Sequence, residues 1–182
     1  MRLRVHHLLC SALYVGKGYS EAFCGNMQRI VWWLWEEPDH VPERDKEAQG
    51  ARNGRPGDGE KRKIRLVSEP DNICSACPNL GEGGCKLDDD RVVSKDEALA
   101  QALALETERV YSVTELLGIV GRNLTEEIFE TSCHNCEWYA QGLCSYEALA
   151  DRYRERETHY PKEISAEKVS AGFGKALNSF GT

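Results

Sequence analysis

The chain is expected to be mainly α-helical, with at most a short strand or two: a compact helical domain carrying two cysteine-rich metal loops at helix junctions. Three observations lead there. Phe23, Met27, Ile30, Val31 and Leu34 recur at i, i+4, i+7, i+8 and i+11, the stripe of an amphipathic helix. Hydroxyl residues that suit helix N-caps stand at Ser20, Ser94, Ser112, Thr125 and Ser145. Between these helical stretches the sequence twice reads C-x2-C-x7-C, at Cys74, Cys77 and Cys85 and again at Cys133, Cys136 and Cys144.

In chain order, residues 5–15 suit a short buried helix closed by Gly16 and Gly18. Ser20 caps the striped helix, which Trp32, Trp33 and Trp35 thicken and Pro38 ends. Residues 40–62 are polar and glycine-rich, with too little apolar surface to offset the entropy of ordering them, so a mobile insertion is expected there. Ile64 and Leu66 alternate with Lys63 and Arg65, as in a short strand. After the first triad, Ser94 to Glu97 and Ser112 to Glu115 have the capping-box pattern. Thr125 is expected to cap a helix leading into the second triad, and Ser145 one running through Leu149 to Tyr153. The expected layout is a single metal-thiolate domain over 1–156 and a polar tail or short helix over 157–182.

With 182 residues, 41% hydrophobic and 29% charged, the chain is long enough to bury a core. A net charge of −7 argues against nucleic-acid binding, and the basic run from Lys61 to Arg65 reads as a solvated loop edge. The N-terminal Arg2, Arg4 and Leu8-Leu9-Cys10 resemble a truncated secretion signal. His6 and His7 interrupt it, and Leu9 is too large for a cleavage site. No stretch has the length of a membrane span, so a cytoplasmic location is expected. In that reducing setting eight cysteines favour metal ligation over disulfides.

A C-x2-C pair bends the backbone so that two thiolates converge on one ion. Glycines two residues before each last cysteine, Gly83 and Gly142, loosen the return loop. Three cysteines are one short of a tetrahedral set, and the deficit occurs twice. Each triad could recruit a fourth ligand from Cys10, Cys24, His6, His7 or His134, with His7 and Cys10 one helical turn apart. The two C-x2-C pairs could instead form one site and leave Cys85 and Cys144 over. Or a triad could hold a four-iron cluster with one iron free for substrate. Cys77-Pro78 and the short gaps favour iron–sulfur, with zinc as the alternative and a redox dithiol behind both.

Other residues have plainer readings. Cys24 suits a buried free thiol, His134 is expected to face solvent, and Trp138 could shield a cluster. Gly16-Lys17-Gly18-Tyr19-Ser20 lacks the length of a phosphate loop and reads as a turn between helices. Asp88-Asp89-Asp90 reads as a solvated run. Walker, dinucleotide-binding and H-E-x-x-H motifs are absent.

Arg4 to Cys10, Gly16 to Ser20, Asn26-Met27, Asp71 to Asn79 and Cys133 to Trp138 together resemble a small prokaryotic domain-of-unknown-function family described as iron–sulfur binding. The resemblance covers about 2–36 and 63–146, with the 40–62 insertion and the C-terminal tail as departures. It implies that Cys10, Cys74, Cys77, Cys85, Cys133, Cys136 and Cys144 form the shared site set, and it implies no reaction. The expected function is one or two iron–sulfur clusters, [4Fe-4S] in type, passing electrons to a redox partner protein. Cys10 supplies a missing ligand, and His7 is the weaker candidate for the other. A zinc-stapled interaction module and an enzyme with an open cluster iron are the rival readings.

Overall fold

A computed structural model describes residues 1–35, 62–86 and 89–159. The expected insertion over 40–62 lies almost wholly outside the described residues, as does nearly all of the expected tail. Among the described residues there are seven α-helices, one 3₁₀ turn and five short strands.

The N-terminal strand β1 (Arg2–Leu3) runs parallel to β2 (Lys63–Leu66), and β2 pairs antiparallel with β5 (Val110–Ser112). The strand expected around Ile64 and Leu66 is present. Both side chains are fully buried while Lys63 and Arg65 face outward. The domain is mainly α-helical as expected, and its few short strands include a three-stranded sheet in the order β1-β2-β5. A second pair, β3 (Leu80–Gly81) and β4 (Gly84–Cys85), is a tight hairpin inside the first cysteine triad.

Helix α1 (Val5–Ala12) is shorter than the expected 5–15. Helix α2 (Glu21–Trp35) starts at Ser20, whose hydroxyl accepts from Phe23 N at 3.1 Å. All five residues of the predicted stripe are buried, and Trp35 joins them. Helix α3 (Asp89–Ala102) begins five residues before Ser94. Ser94 is therefore not a cap, and its hydroxyl donates to the Asp90 carbonyl one turn back. The run of three aspartates is also not a loop: Asp89 and Asp90 open α3, and Asp88 lies outside the described residues.

Helices α4 (Val113–Asn123) and α5 (Glu126–Cys133) start at the predicted Ser112 and Thr125, which accept from Glu115 N and Ile128 N. A single turn, α6 (Glu137–Ala140), lies within the second triad. Helix α7 (Tyr146–His159) follows Ser145, which accepts from Ala148 N. One apolar core joins α1, α2, α4, α5, α7 and the sheet, with Leu8, Met27, Leu34, Leu116, Phe129 and Leu149 at its centre.

Among the described residues three charged residues are buried, Arg4, Asp71 and Asp96, and two of them pair with each other. Arg4 is 1% exposed and Asp96 is fully buried, with Arg4 Nε 3.1 Å from Asp96 Oδ2. An isolated buried charge is costly, so each ion is tolerated only with its partner. The pair locks α3 onto the start of α1.

Candidate metal centres

The two triads share one backbone design. In the first, Cys77 N donates to Cys74 O at 2.9 Å, and in the second Cys136 N donates to Cys133 O at 2.8 Å. Cys77 and Cys136 have nearly the same extended conformation, with φ/ψ of −81°/129° and −89°/135°. A tight turn followed by an extended cysteine brings the sulfurs of a C-x2-C pair to one side. The first pair opens on a 3₁₀ turn (Cys74–Ala76), and the second grows from the last residue of α5.

The third cysteine returns differently in the two triads. Cys85 sits on β4 of the hairpin, after Gly84 at φ 122°, and Cys144 follows Gly142 at φ 70°. Gly142 is thus loosened as expected. In the first triad the left-handed residue is Gly84 rather than Gly83, because the hairpin turns at Glu82-Gly83 and must recover its register at the next residue.

Cys10 projects from α1 toward the second triad. Burial pushes its thiol well above the ordinary range. Lys95 opposes that shift, and the charges of Cys133, Cys136 and Cys144 add to it. Burial likewise raises Cys133 to about 11, again against Lys95 and with Cys136 and Cys144. Cys144 is raised by burial and then by Cys136. Four cysteines from α1, α5, the turn and the loop before α7 therefore act on one another. Among the described residues, His7, Asp71 and Cys74 bring three ligand atoms within 4.8 Å of one another.

That trio belongs to the first triad. Asp71 Oδ1 accepts from Ile73 N at 2.8 Å and Cys74 N at 3.0 Å, which fixes the 3₁₀ turn. Its Oδ2 accepts from Arg4 N at 2.6 Å and lies 2.6 Å from His7 Nδ1. Burial alone would raise this carboxyl, yet the His7 imidazole and the N–H groups of Arg4 and Cys74 hold it well below the usual carboxylate range. A carboxylate has about four acceptor sites, and these four donors fill them. Asp71 is therefore an orienting group. It holds the His7 Nδ1–H and leaves Nε2 as the nitrogen able to ligate, as carboxylate–histidine pairs do at metal sites. Burial pushes Cys74 to about 12, and the neighbouring Asp71 charge adds to the shift. Cys77 is raised by burial, with Cys85 adding to it.

His6 is used differently. Its ring packs against that of His7 at 4.1 Å and a tilt of 49°, and its Nδ1 lies 2.7 Å from Asp96 Oδ1. Burial, then the His7 neighbour, lowers its pKa to about 4, so it is a neutral packed imidazole at pH 7. His134 is exposed, with Nδ1 3.0 Å from the Glu130 carbonyl and directed back along its own helix. Cys24 is half-buried and lines a groove of about 500 Å³ with the Gly16–Glu21 loop and Trp138. Tyr19 lines the same groove and is 41% exposed. It is raised to about 12 by burial and then by Cys136, Cys77 and Cys10, and its ring is 5.5 Å from that of Trp138.

Sequence reasoning missed Asp71 and Asp96. A signal existed for both: Asp71 stands three residues before Cys74, where a side-chain cap would sit, and Asp96 interrupts the apolar series Val93, Leu99, Leu103.

Residues 54–142 match the family described as a protein of unknown function (DUF1284). The match takes in Cys74, Cys77, Cys85, Cys133 and Cys136 and stops short of Cys144; Cys10 and His7 precede it. It starts inside the 40–62 segment that was expected to depart from the family. No curated protein and no solved structure gives a significant match to the chain. No helix among the described residues is long and apolar enough to cross a membrane.

Proposed function

We propose that the chain is an iron–sulfur protein that passes electrons to a protein partner. Cys10, Cys133, Cys136 and Cys144 would hold one cluster of the [4Fe-4S] type. Cys74, Cys77 and Cys85, with His7, would form the second site. The observation that carries this reading is the shared backbone geometry of the two C-x2-C pairs, in which Cys77 N donates to Cys74 O and Cys136 N to Cys133 O with Cys77 and Cys136 both extended; Cys10 on α1 would supply the fourth thiol of the second triad. Bound iron and sulfide would supply the one-electron chemistry. The chain's own residues contribute the thiolates, the burial and the hydrogen bonds that set the potential.

A second reading applies to the first triad alone. His7 backed by Asp71 lies beside Cys74, and with Cys77 and Cys85 of the same triad it would make a three-cysteine, one-histidine zinc donor set. That would make the first site a structural staple and leave the redox role to the second. The open-iron enzyme reading has less support at the first triad, where His7 lies beside Cys74.

The test compares Cys10→Ser with Cys24→Ser after purification without oxygen. C10S is expected to lose much of the visible absorption and the iron and sulfide of one site, while C24S keeps both. Equal loss, or none, in the two variants would remove Cys10 from the ligand set.

A further inference from the structure

The outward face of the three-stranded sheet is basic, although the chain as a whole carries a net charge of −7. Arg2 on β1 stands opposite Arg65 on β2, and Arg65 stands opposite Val110 on β5. Lys63 shares that face, while Leu3, Ile64, Leu66 and Tyr111 are buried on the other. Together with Met1 and Asn72, the outward residues line a groove of about 310 Å³. Like charges directly opposite one another weaken a strand pair. Glu69 and Glu108 offset this at 2.6 Å from Arg2 and 3.6 Å from Arg65, in exposed pairs that are worth little. Lys63 has no ion-pair partner among the described residues.

The groove adjoins the first cysteine triad. Asn72 is two residues before Cys74 and holds Arg2 twice. Its Oδ1 accepts from Arg2 N at 2.7 Å, and its own N donates to Arg2 O at 3.3 Å. Those bonds cover that edge of β1, so a partner strand cannot add there and recognition falls to the side chains. Among the described residues no aromatic ring lines the groove to stack a nucleic-acid base, and Val110, 46% exposed, offers an apolar spot instead.

We propose that this basic face docks an acidic segment of the partner protein, beside the first cysteine site. The electron-transfer role of that docking rests on the iron–sulfur reading; the binding itself does not. Carboxylates of the partner pair with Lys63 and displace Glu69 and Glu108 from Arg2 and Arg65, whose guanidinium groups accept bidentate pairing. The attraction acts between exposed charges, so it is screened beyond about 10 Å at ~0.1 M salt. Reversing one charge on the face corresponds to about tenfold in affinity at low salt.

The experiment is fluorescence anisotropy of labelled octaglutamate at low salt on the full chain, comparing wild type with Lys63→Arg, Lys63→Glu and Lys17→Glu. Lys17 is exposed and lies outside this face, so K17E makes the same change in net charge elsewhere. The expected result is binding to wild type that salt weakens, about tenfold loss in K63E, and K63R and K17E within about twofold of wild type. Wild type that leaves octaglutamate free would overturn the proposal, and so would equal losses in K63E and K17E. Tighter binding of labelled octathymidylate than of octaglutamate would overturn it in favour of nucleic acid. Iron and sulfide are counted on the same samples. Octaglutamate binding by a protein without either would keep the docking face and overturn the redox reading, and full clusters without binding would do the reverse.

Discussion

Replacing Asp71 by alanine should be among the most damaging single changes outside the cysteines. The Asp71 side chain is fully buried and receives four donors: Arg4 N, Ile73 N, Cys74 N and the His7 ring. Arg4 and Ile73 are themselves buried, so their N–H groups lose their partner with no water at hand. Each orphaned buried donor costs about 1–3 kcal/mol. With partial relief at the half-buried Cys74, the sum is roughly 4 kcal/mol. For a chain of this length that is roughly 8–16 °C in Tm. Asp71→Asn keeps one carbonyl oxygen for Ile73 and Cys74 but turns an amide NH₂ toward Arg4 N or His7, so about 2 kcal/mol is expected. Urea unfolding followed by tryptophan fluorescence, at matched metal content, measures both. A loss below about 1 kcal/mol for D71A would refute the claim that this carboxylate ties α1 to the first triad.

Asp96→Ala removes the buried counter-charge of Arg4, which keeps its bond to the Ser68 carbonyl, and frees the His6 N–H; it should cost about 3 kcal/mol in the same assay. Gly142→Ala has open space around its new methyl group but must hold φ at 70°, so a loss of about 1 kcal/mol is expected. Gly83→Ala, with open space and no left-handed backbone, should be close to neutral; equal losses at the two glycines would contradict the loop geometry.

Much of the helical layout was legible because its signals are local. The stripe from Phe23 to Leu34 needs only 3.6-residue periodicity, and Ser20, Ser112, Thr125 and Ser145 need only a hydroxyl before a helix. Ser94 misled for the same reason. A capping pattern carries no information about whether a helix has already begun upstream, and α3 had. Gly83 and Gly84 are adjacent, and only the register of the β3–β4 hairpin decides which one takes the left-handed conformation. Cys10 and His7 were visible as a pair one turn apart. Which triad each faces depends on how α1 lies between α3 and the 71–77 segment, a long-range fact. Asp71 and Asp96 were missed because a charged residue reads as surface until its partner is known. Those partners are Arg4, His6 and His7 for the two carboxylates.

The most direct test of the central claim is to purify the full chain without oxygen and measure iron, acid-labile sulfide and zinc per chain beside the absorption spectrum. The account predicts a brown protein with iron and sulfide in equal amounts, at least about four of each, and a broad band near ~400 nm. Zinc at the first site would add about one ion without removing that band. A colourless protein holding zinc and no sulfide would contradict the account and leave a metal-stapled helical domain with no redox role.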